Sequence, residues 1–176
     1  EKAFQLTEAA SFAAAVFDET GKMVGNVTLS DKYMPLVFEK SLTTGKPVES
    51  SGSANQKEKA EYAVDGWVDI GKYWGTKPAP AWLQIDLQGE YRVDRIQVVP
   101  YFEGIRYYQY TVEISTDDKN WTQVVDASKN TTPGTEKGYM YKFEPTKARY
   151  IRVNVLKNSD NPATHLVEVR AWETGK

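Results

Sequence analysis

The sequence has no cysteine, a single histidine and only three methionines. Without cysteine there is no disulfide framework, no thiol nucleophile and no thiolate metal centre. The compartment stays open on that ground, because a domain with an adequate core can be secreted without bridges. The lone His165 cannot build a clustered-imidazole zinc site, and no Gly-x-Ser-x-Gly nucleophile elbow occurs. No apolar run approaches the roughly 18 residues of a spanning helix. Neither sign of charge is in excess: 22 Lys and Arg stand against 24 Asp and Glu, for a net charge of −2. Nucleic-acid binding needs a basic stripe that releases counterions, and charge-driven adhesion to an anionic bilayer needs a basic cluster. Neither nucleic acid nor membrane is therefore an expected partner. The opening Glu1-Lys2-Ala3-Phe4 carries no initiator Met and no apolar signal core, so the chain is expected to be a piece of a larger protein.

What the sequence does have is a core's worth of apolar residues, 40% hydrophobic and 12% aromatic over 176 residues. That suffices for one full domain plus a fragment. The aromatics are unevenly spread. Residues 1–50 hold no Trp and only Tyr33, whereas residues 51–176 hold all five Trp and every other Tyr. The step coincides with Glu49-Ser50-Ser51-Gly52-Ser53-Ala54-Asn55-Gln56, a polar run suited to a linker or to the lead-in of a new domain. Before it, apolar runs at 11–17 and 23–29 flank Asp18-Glu19-Thr20-Gly21-Lys22, which is a hairpin signal. The alanine-rich run is also compatible with a helix, although a short one. A lone hairpin is marginal in water, so these residues read as the last strands of a domain that begins upstream.

After the step the pattern is β almost throughout. Tyr108, Tyr110, Val112 and Ile114 alternate with Gln109, Thr111, Glu113 and Ser115, a period of two with one buried face. Tyr139, Tyr141 and Phe143 repeat it, as do Ile151, Val153 and Val155. Between Tyr91 and Val99 the phase slips at Asp94-Arg95, which predicts a bulge. A helical turn is expected within 56–63, and a final strand from about His165 to Glu173. Strands punctuated by turns about every ten residues predict an all-β sandwich or barrel. Trp82, Tyr110 and Trp121 fall on strand patterns and are expected in the core.

Asp65-Gly66, then Trp74, Trp82-Leu83-Gln84-Ile85-Asp86-Leu87, the 110–115 strand running into Asp117-Asp118-Lys119-Asn120-Trp121, Ala148-Arg149-Tyr150-Ile151-Arg152-Val153, and Leu166-Val167-Glu168-Val169 occur in this order. Together they resemble the discoidin, or coagulation-factor type C, domain. That is a galactose-binding-like jelly-roll β-sandwich shared by family-32 carbohydrate-binding modules. The earlier hairpin, followed by residues 38–47, is similar to the C-terminal region of chitobiases and β-hexosaminidases, where an immunoglobulin-like domain precedes such a module. The resemblance divides the chain into residues 1–44, a partial immunoglobulin-like β segment or linker, and residues 45–176, the discoidin-like module. It implies a non-catalytic carbohydrate-binding module of a larger glycoside hydrolase, in a secreted, periplasmic or cell-surface protein. Its partners would be a glycan and, in cis, the parent catalytic domain. The alternative is an adhesion or domain-packing module that binds no sugar.

The resemblance also implies a structural calcium held by the Tyr62 carbonyl, Asp65, the Trp67 carbonyl and Glu168. A hard cation takes six to eight oxygens and would tie the first loop to the last strand. The sequence departs from the family pattern in that Trp74 follows Asp65 at a longer spacing and Lys72 stands where Thr is usual; Asp69 is then a candidate extra ligand. Sugar sites need flat rings for C–H stacking and a few polar groups to orient hydroxyls. Three loops offer them: 67–77 with Trp67, Tyr73 and Trp74; 101–107 with Tyr101, Phe102, Glu103 and Arg106; and 157–164 with Asn158, Asp160 and Asn161. Tyr73, Trp74, Tyr101, Phe102, Arg106 and Asn161 are the expected ligand residues, with Tyr101-Phe102 the pair expected to be exposed. Arg106 lies near the position where galactose-binding relatives place a hydroxyl-binding arginine, but the first loop has no His to accompany it. His165 is expected to be structural, and Asp117-Asp118 to satisfy backbone donors in a turn. No catalytic residue is expected.

Overall fold

The computed structural model describes residues 40–173 except 54 and 56, together with Thr20 and two short strands, β1 (Ala13–Ala14) and β2 (Thr28–Leu29). The chain divides into two compact units, Glu1–Glu39 and Lys40–Lys176. In the first, β1 and β2 pair antiparallel, with Ala13 opposite Leu29 and Ala14 opposite Thr28. Apart from Thr20, the turn expected between them lies outside the described residues.

The second unit is built from β3 (Val48–Ser50), a 3₁₀ helix (Ala60–Val64), β4 (Trp74–Thr76), β5 (Ala81–Pro100), β6 (Tyr108–Ser115), β7 (Thr122–Ala127), β8 (Tyr139–Asn158) and β9 (Thr164–Glu173). It is all-β but for that one helical turn, as the jelly-roll resemblance implies. β5 and β8, each 20 residues long, serve both layers of the sandwich. The first part of β5 lies between β3 and the end of β8, beyond which come β6 and β7. Its second part lies between β9 and the start of β8, and β4 adds to the outer edge of β9. The β5–β8 pairing is interrupted between Asp86 and Tyr91 and again between Val93 and Arg95, the second where the phase slip predicts it. A bulge bends its strand and sharpens the twist, which is how one chain turns the corner from one layer to the other.

The core follows the period of two. Leu83, Ile85 and Leu87 of β5, Tyr108, Tyr110, Val112 and Ile114 of β6, and Ile151, Val153 and Val155 of β8 all belong to one buried cluster. Tyr110 is fully buried, and its hydroxyl meets that of Tyr141 at 2.8 Å. Trp82 and Trp121 are not core, against expectation; both are half-buried. With Leu83 and Ile85 facing inward, Trp82 and Gln84 face outward by the alternation of the strand. There the two indoles flank the Arg152 guanidinium, at 5.0 Å and 4.0 Å from their ring centroids.

In β9 a run of consecutive residues, Leu166, Val167, Glu168 and Val169, is buried. Beyond the reach of β4, residues 41–43 take over its edge. Leu42 N donates to Ala171 O at 2.9 Å, and the buried Thr43 hydroxyl donates to Val169 O at 2.8 Å. No helix among the described residues is long and apolar enough to cross a membrane.

Candidate functional site

One rim of the sandwich collects the 101–107 connection between β5 and β6, the 158–163 connection between β8 and β9, Tyr73 at the entry to β4, and the start of β9. The loops brace each other: Tyr107 N donates to Ser159 Oγ, and Ser159 N returns a bond to Tyr107 O, each at 3.0 Å. Three rings converge, Tyr73 edge to face with each of the other two, which are tilted against each other. Tyr73 lies 5.1 Å from Tyr101 and 5.2 Å from His165, and Tyr101 lies 5.6 Å from His165. Arg106 sits over the Tyr101 ring at 5.1 Å and donates to Asp160 Oδ2 at 2.7 Å. Asp160 also accepts from Asn161 at 3.0 Å, so the arginine is held in place from the neighbouring loop.

Beside these rings opens a cleft of about 360 Å³ lined by Asn55, Glu58, Lys77, Asn161, Ala163 and His165. Asn55 donates to Glu58 Oε1 at 2.8 Å. The other carboxylate oxygen reaches over Gly75 in β4, where a Cβ would overlap it and crowd the His165 ring. A residue without a side chain is thus what lets Glu58 and His165 share one wall.

The protonation pattern of this wall follows from its bonds. Burial raises the Tyr108 phenol well above its ordinary pKa, so the hydroxyl keeps its proton. It stands 2.7 Å from His165 Nδ1 and receives an Asn158 amide at 3.4 Å. Tyr108 accordingly donates to Nδ1, which assigns the imidazole proton to Nε2. Burial first, then the Arg106 charge, pulls the His165 pKa below its ordinary value, with Glu58 opposing. At neutral pH the wall therefore combines a neutral imidazole, a carboxylate, an ammonium and an amide around flat rings. Such a set can donate to and accept from hydroxyls.

Of the ligand residues read from the sequence, Tyr73, Tyr101 and Arg106 are brought together here. Asn161 lines the cleft, but its Oδ1 is engaged by Ala163 N at 2.9 Å and by Asn158 at 3.1 Å. Phe102 is half-buried, with its Cα and Cβ beside Gly134. Trp74 is a correction: it is fully buried, and its Nε1 donates to Gly52 O at 2.9 Å, so neither ring face is open to a ligand. The exposed pair expected at Tyr101-Phe102 is also corrected, since both are half-buried and the exposed apolar tip of that loop is Ile105. Glu58, Lys77 and Tyr108 were not legible as site residues. His165 is tied to Tyr108 as a structural histidine would be, and it also lines the cleft. Asp117 accepts from the backbone of Lys119 and Asn120 at 2.9 and 2.8 Å, the turn role expected of it.

The predicted metal ligands lie elsewhere, where the 3₁₀ helix meets β9. Glu168 is wholly buried, and its Oε2 has no hydrogen-bond partner. Burial pushes its carboxyl up to about 8; Arg170 opposes this and the charge of Asp65 adds to it. Without a cation Glu168 therefore keeps its proton at neutral pH; a buried carboxyl oxygen without a partner, beside the Asp65 carboxylate and the loop carbonyls, is a donor set that fits a hard cation able to displace that proton. Asp69 does not join it. Among the described residues no three His, Cys, Asp or Glu converge as a metal cluster, and exposed Asp69 caps its own turn by accepting from Gly71 N at 2.8 Å. Asp65 Oδ1 accepts from Trp67 N at 2.8 Å, and the Trp67 ring, 73% exposed, projects from that loop.

Three likenesses bear on this arrangement. The chain is 30% identical over 101 residues to BTB/POZ domain-containing protein 9 of Drosophila melanogaster, a match covering 57% of the chain and 14% of that protein. It thus spans about one seventh of that curated relative. Among solved structures it is similar to a family 89 glycoside hydrolase from Clostridium perfringens in complex with 2-acetamido-1,2-dideoxynojirmycin, at 25% identity and a TM-score of 0.66, covering 77% of this chain and 15% of that one. The fold also matches chitosan-binding module 1 from a chitosanase/glucanase of Paenibacillus sp. IK-5, at 21% identity and a TM-score of 0.63, covering 76% of this chain and 98% of the module. The family model of the F5/8 type C domain matches residues 47–169, and the chain belongs to that family.

Proposed function

We propose that the second unit is a non-catalytic carbohydrate-binding module whose ligand lies against Tyr73 and Tyr101 and reaches into the cleft walled by Glu58 and His165. The observation that carries this reading is the convergence of two tyrosines, His165 and the Asp160-anchored Arg106 beside an open polar cleft. Ring faces supply C–H stacking, while Glu58, Arg106 and the His165 Nε2–H orient hydroxyls. A shallow site of this kind buries little area, so affinity is expected at about 0.1–1 mM, or about 4–5.5 kcal/mol. In a longer protein the module would hold a glycoside hydrolase of the chitobiase or β-hexosaminidase type near its polymer. Tethering supplies the gain that the single site lacks. A secreted, periplasmic or cell-surface setting suits that role, with the segment before the module serving as the end of an immunoglobulin-like domain. Likeness to a glycoside hydrolase and to a chitosan-binding module supports this reading.

We further propose a structural calcium held by Asp65 and Glu168 with the Tyr62 and Trp67 carbonyls. Its chemistry would be to displace the Glu168 proton and compensate the buried carboxylate that remains.

A second reading, docking against another protein domain, draws on Ile105 and Trp67, which are 87% and 73% exposed at loop tips, and on the likeness to a BTB/POZ protein. An immobilised-glycan panel separates the two. Wild type retained on at least one glycan, with retention lost in both Tyr73→Ala and Arg106→Ala, is the expected result. Absence of retention on any glycan, or retention unchanged in both variants, removes the sugar reading and leaves docking.

A further inference from the structure

Glu168 and Arg170 are two residues apart on β9, so their side chains project to the same side of the strand. Arg170 Nε lies 3.4 Å from Glu168 Oε1, and Arg170 Nη2 donates to Gly66 O at 2.9 Å. Its guanidinium thereby joins the last strand to the first loop, the same two pieces that a cation at Asp65 and Glu168 would join. It does so incompletely. Its approach to Glu168 is long for a charge-assisted bond, and Glu168 Oε2 is left buried without a hydrogen-bond partner.

We infer that Arg170 is a built-in competitor for the cation site: its guanidinium holds a fixed positive charge beside Glu168 and the first loop, where the ion would sit, and weakens the binding of calcium. The inference rests on the calcium reading above. A divalent ion bound by Glu168 would bring two positive charges beside a third fixed one. At that range, with the carboxylate fully buried, the repulsion is poorly screened. A long arginine whose side chain is 26% exposed can swing out while keeping its stem packed, so entry of the ion is opposed and not forbidden. The consequence is a module that stays folded without metal and binds it weakly, in contrast to one whose folding requires the ion.

Calcium titration by calorimetry at constant ionic strength tests this on wild type, Arg170→Met, Arg170→Lys and Glu168→Gln, with melting followed in calcium and in chelator. Arg170→Met is expected to bind calcium at least about tenfold more tightly than wild type. Its melting point should also separate more widely between calcium and chelator. Arg170→Lys, which keeps the charge, should stay near wild type, and Glu168→Gln should lose binding. Equal calcium affinity in wild type and Arg170→Met would overturn the competitor role and leave the calcium reading intact. If neither binds calcium while both remain folded by circular dichroism, the calcium reading falls and this inference with it. Should Arg170→Met fail to fold in either buffer, Arg170→Gln is judged by the same comparison.

Discussion

Two clusters in the sandwich pair arginine with aromatic rings, and their difference separates ring surface that is spent on the fold from ring surface left for a ligand. On the outer face of the β3–β7 layer, Arg152 fills the space between Trp82 and Trp121, and Gln84 Oε1 accepts from both Arg152 Nε and Nη2. Gln84 in turn donates to Asp118 at 3.0 Å, so the stack is closed at both ends. At the rim, Arg106 covers one ring only, that of Tyr101, while Tyr73 meets it edge to face and His165 at a tilt, leaving a cleft beside them. The composition is alike in both places. The cation is inserted between rings in one case and placed beside them in the other.

The sharpest way to break the comparison is at two consecutive residues. Trp74 points into the core and Tyr73 to the rim. Trp74→Ala is expected to cost about 3–5 kcal/mol of stability, the cost of emptying a large buried aromatic site. The loss would be seen as a lower denaturation midpoint with an unchanged slope. Tyr73→Ala should move that midpoint far less and should instead abolish retention on glycan. If both changes act alike on stability, the division between scaffold and site at this point is wrong.

The two arginines give the next test. Arg152→Ala removes a cation shared by two indoles and the partner of Gln84, for an expected loss of about 1–2 kcal/mol. Glycan retention should be unaffected. Arg106→Ala reverses the pattern, lowering glycan affinity about tenfold or more at little cost in melting temperature. Asp160→Asn should reproduce a weaker form of the Arg106 effect, because Asp160 only anchors the guanidinium.

How much of this was legible in the sequence depends on range. The strands were, because a two-residue period and its slip at Asp94-Arg95 are local properties of β5, and the buried faces of β6 and β8 follow from them. The two tryptophans were misplaced by the same logic. A large ring on a strand pattern reads as core, and nothing in the local sequence tells that Arg152, distant along the chain, will lie between Trp82 and Trp121 and cover their inner faces. The rim was half legible: aromatic and polar loop residues mark themselves, so Tyr73, Tyr101 and Arg106 could be named. Glu58 could not, because its place in the cleft depends on bare Gly75 lying opposite His165, a juxtaposition made only once β4 docks on β9. His165 reads as structural for the sound reason that it is bonded to Tyr108, and a histidine that is both bonded and exposed to a cleft has no sequence signature.

His165 also gives the smallest and most specific prediction, one that the Trp82–Arg152–Trp121 stack, having no group that titrates near neutrality, cannot imitate. Its folded pKa lies below the unfolded value of about 6.5. The unfolded chain therefore binds the proton more readily than the folded one as pH falls. The contribution is fully present above about pH 6.5 and is lost progressively as pH drops from there toward the depressed folded value. Protonation would also place a second donor against the Tyr108 hydroxyl at Nδ1, which forces that hydroxyl to turn and stop donating. Glycan affinity should therefore weaken over the same interval, as the wall beside the cleft gains charge next to Arg106. His165→Gln should flatten both profiles between pH 5 and 7 relative to wild type. A wild-type affinity that stays constant across that interval, with the stability profile still falling, would leave His165 as a support of the rim and remove it from the surface that meets the ligand.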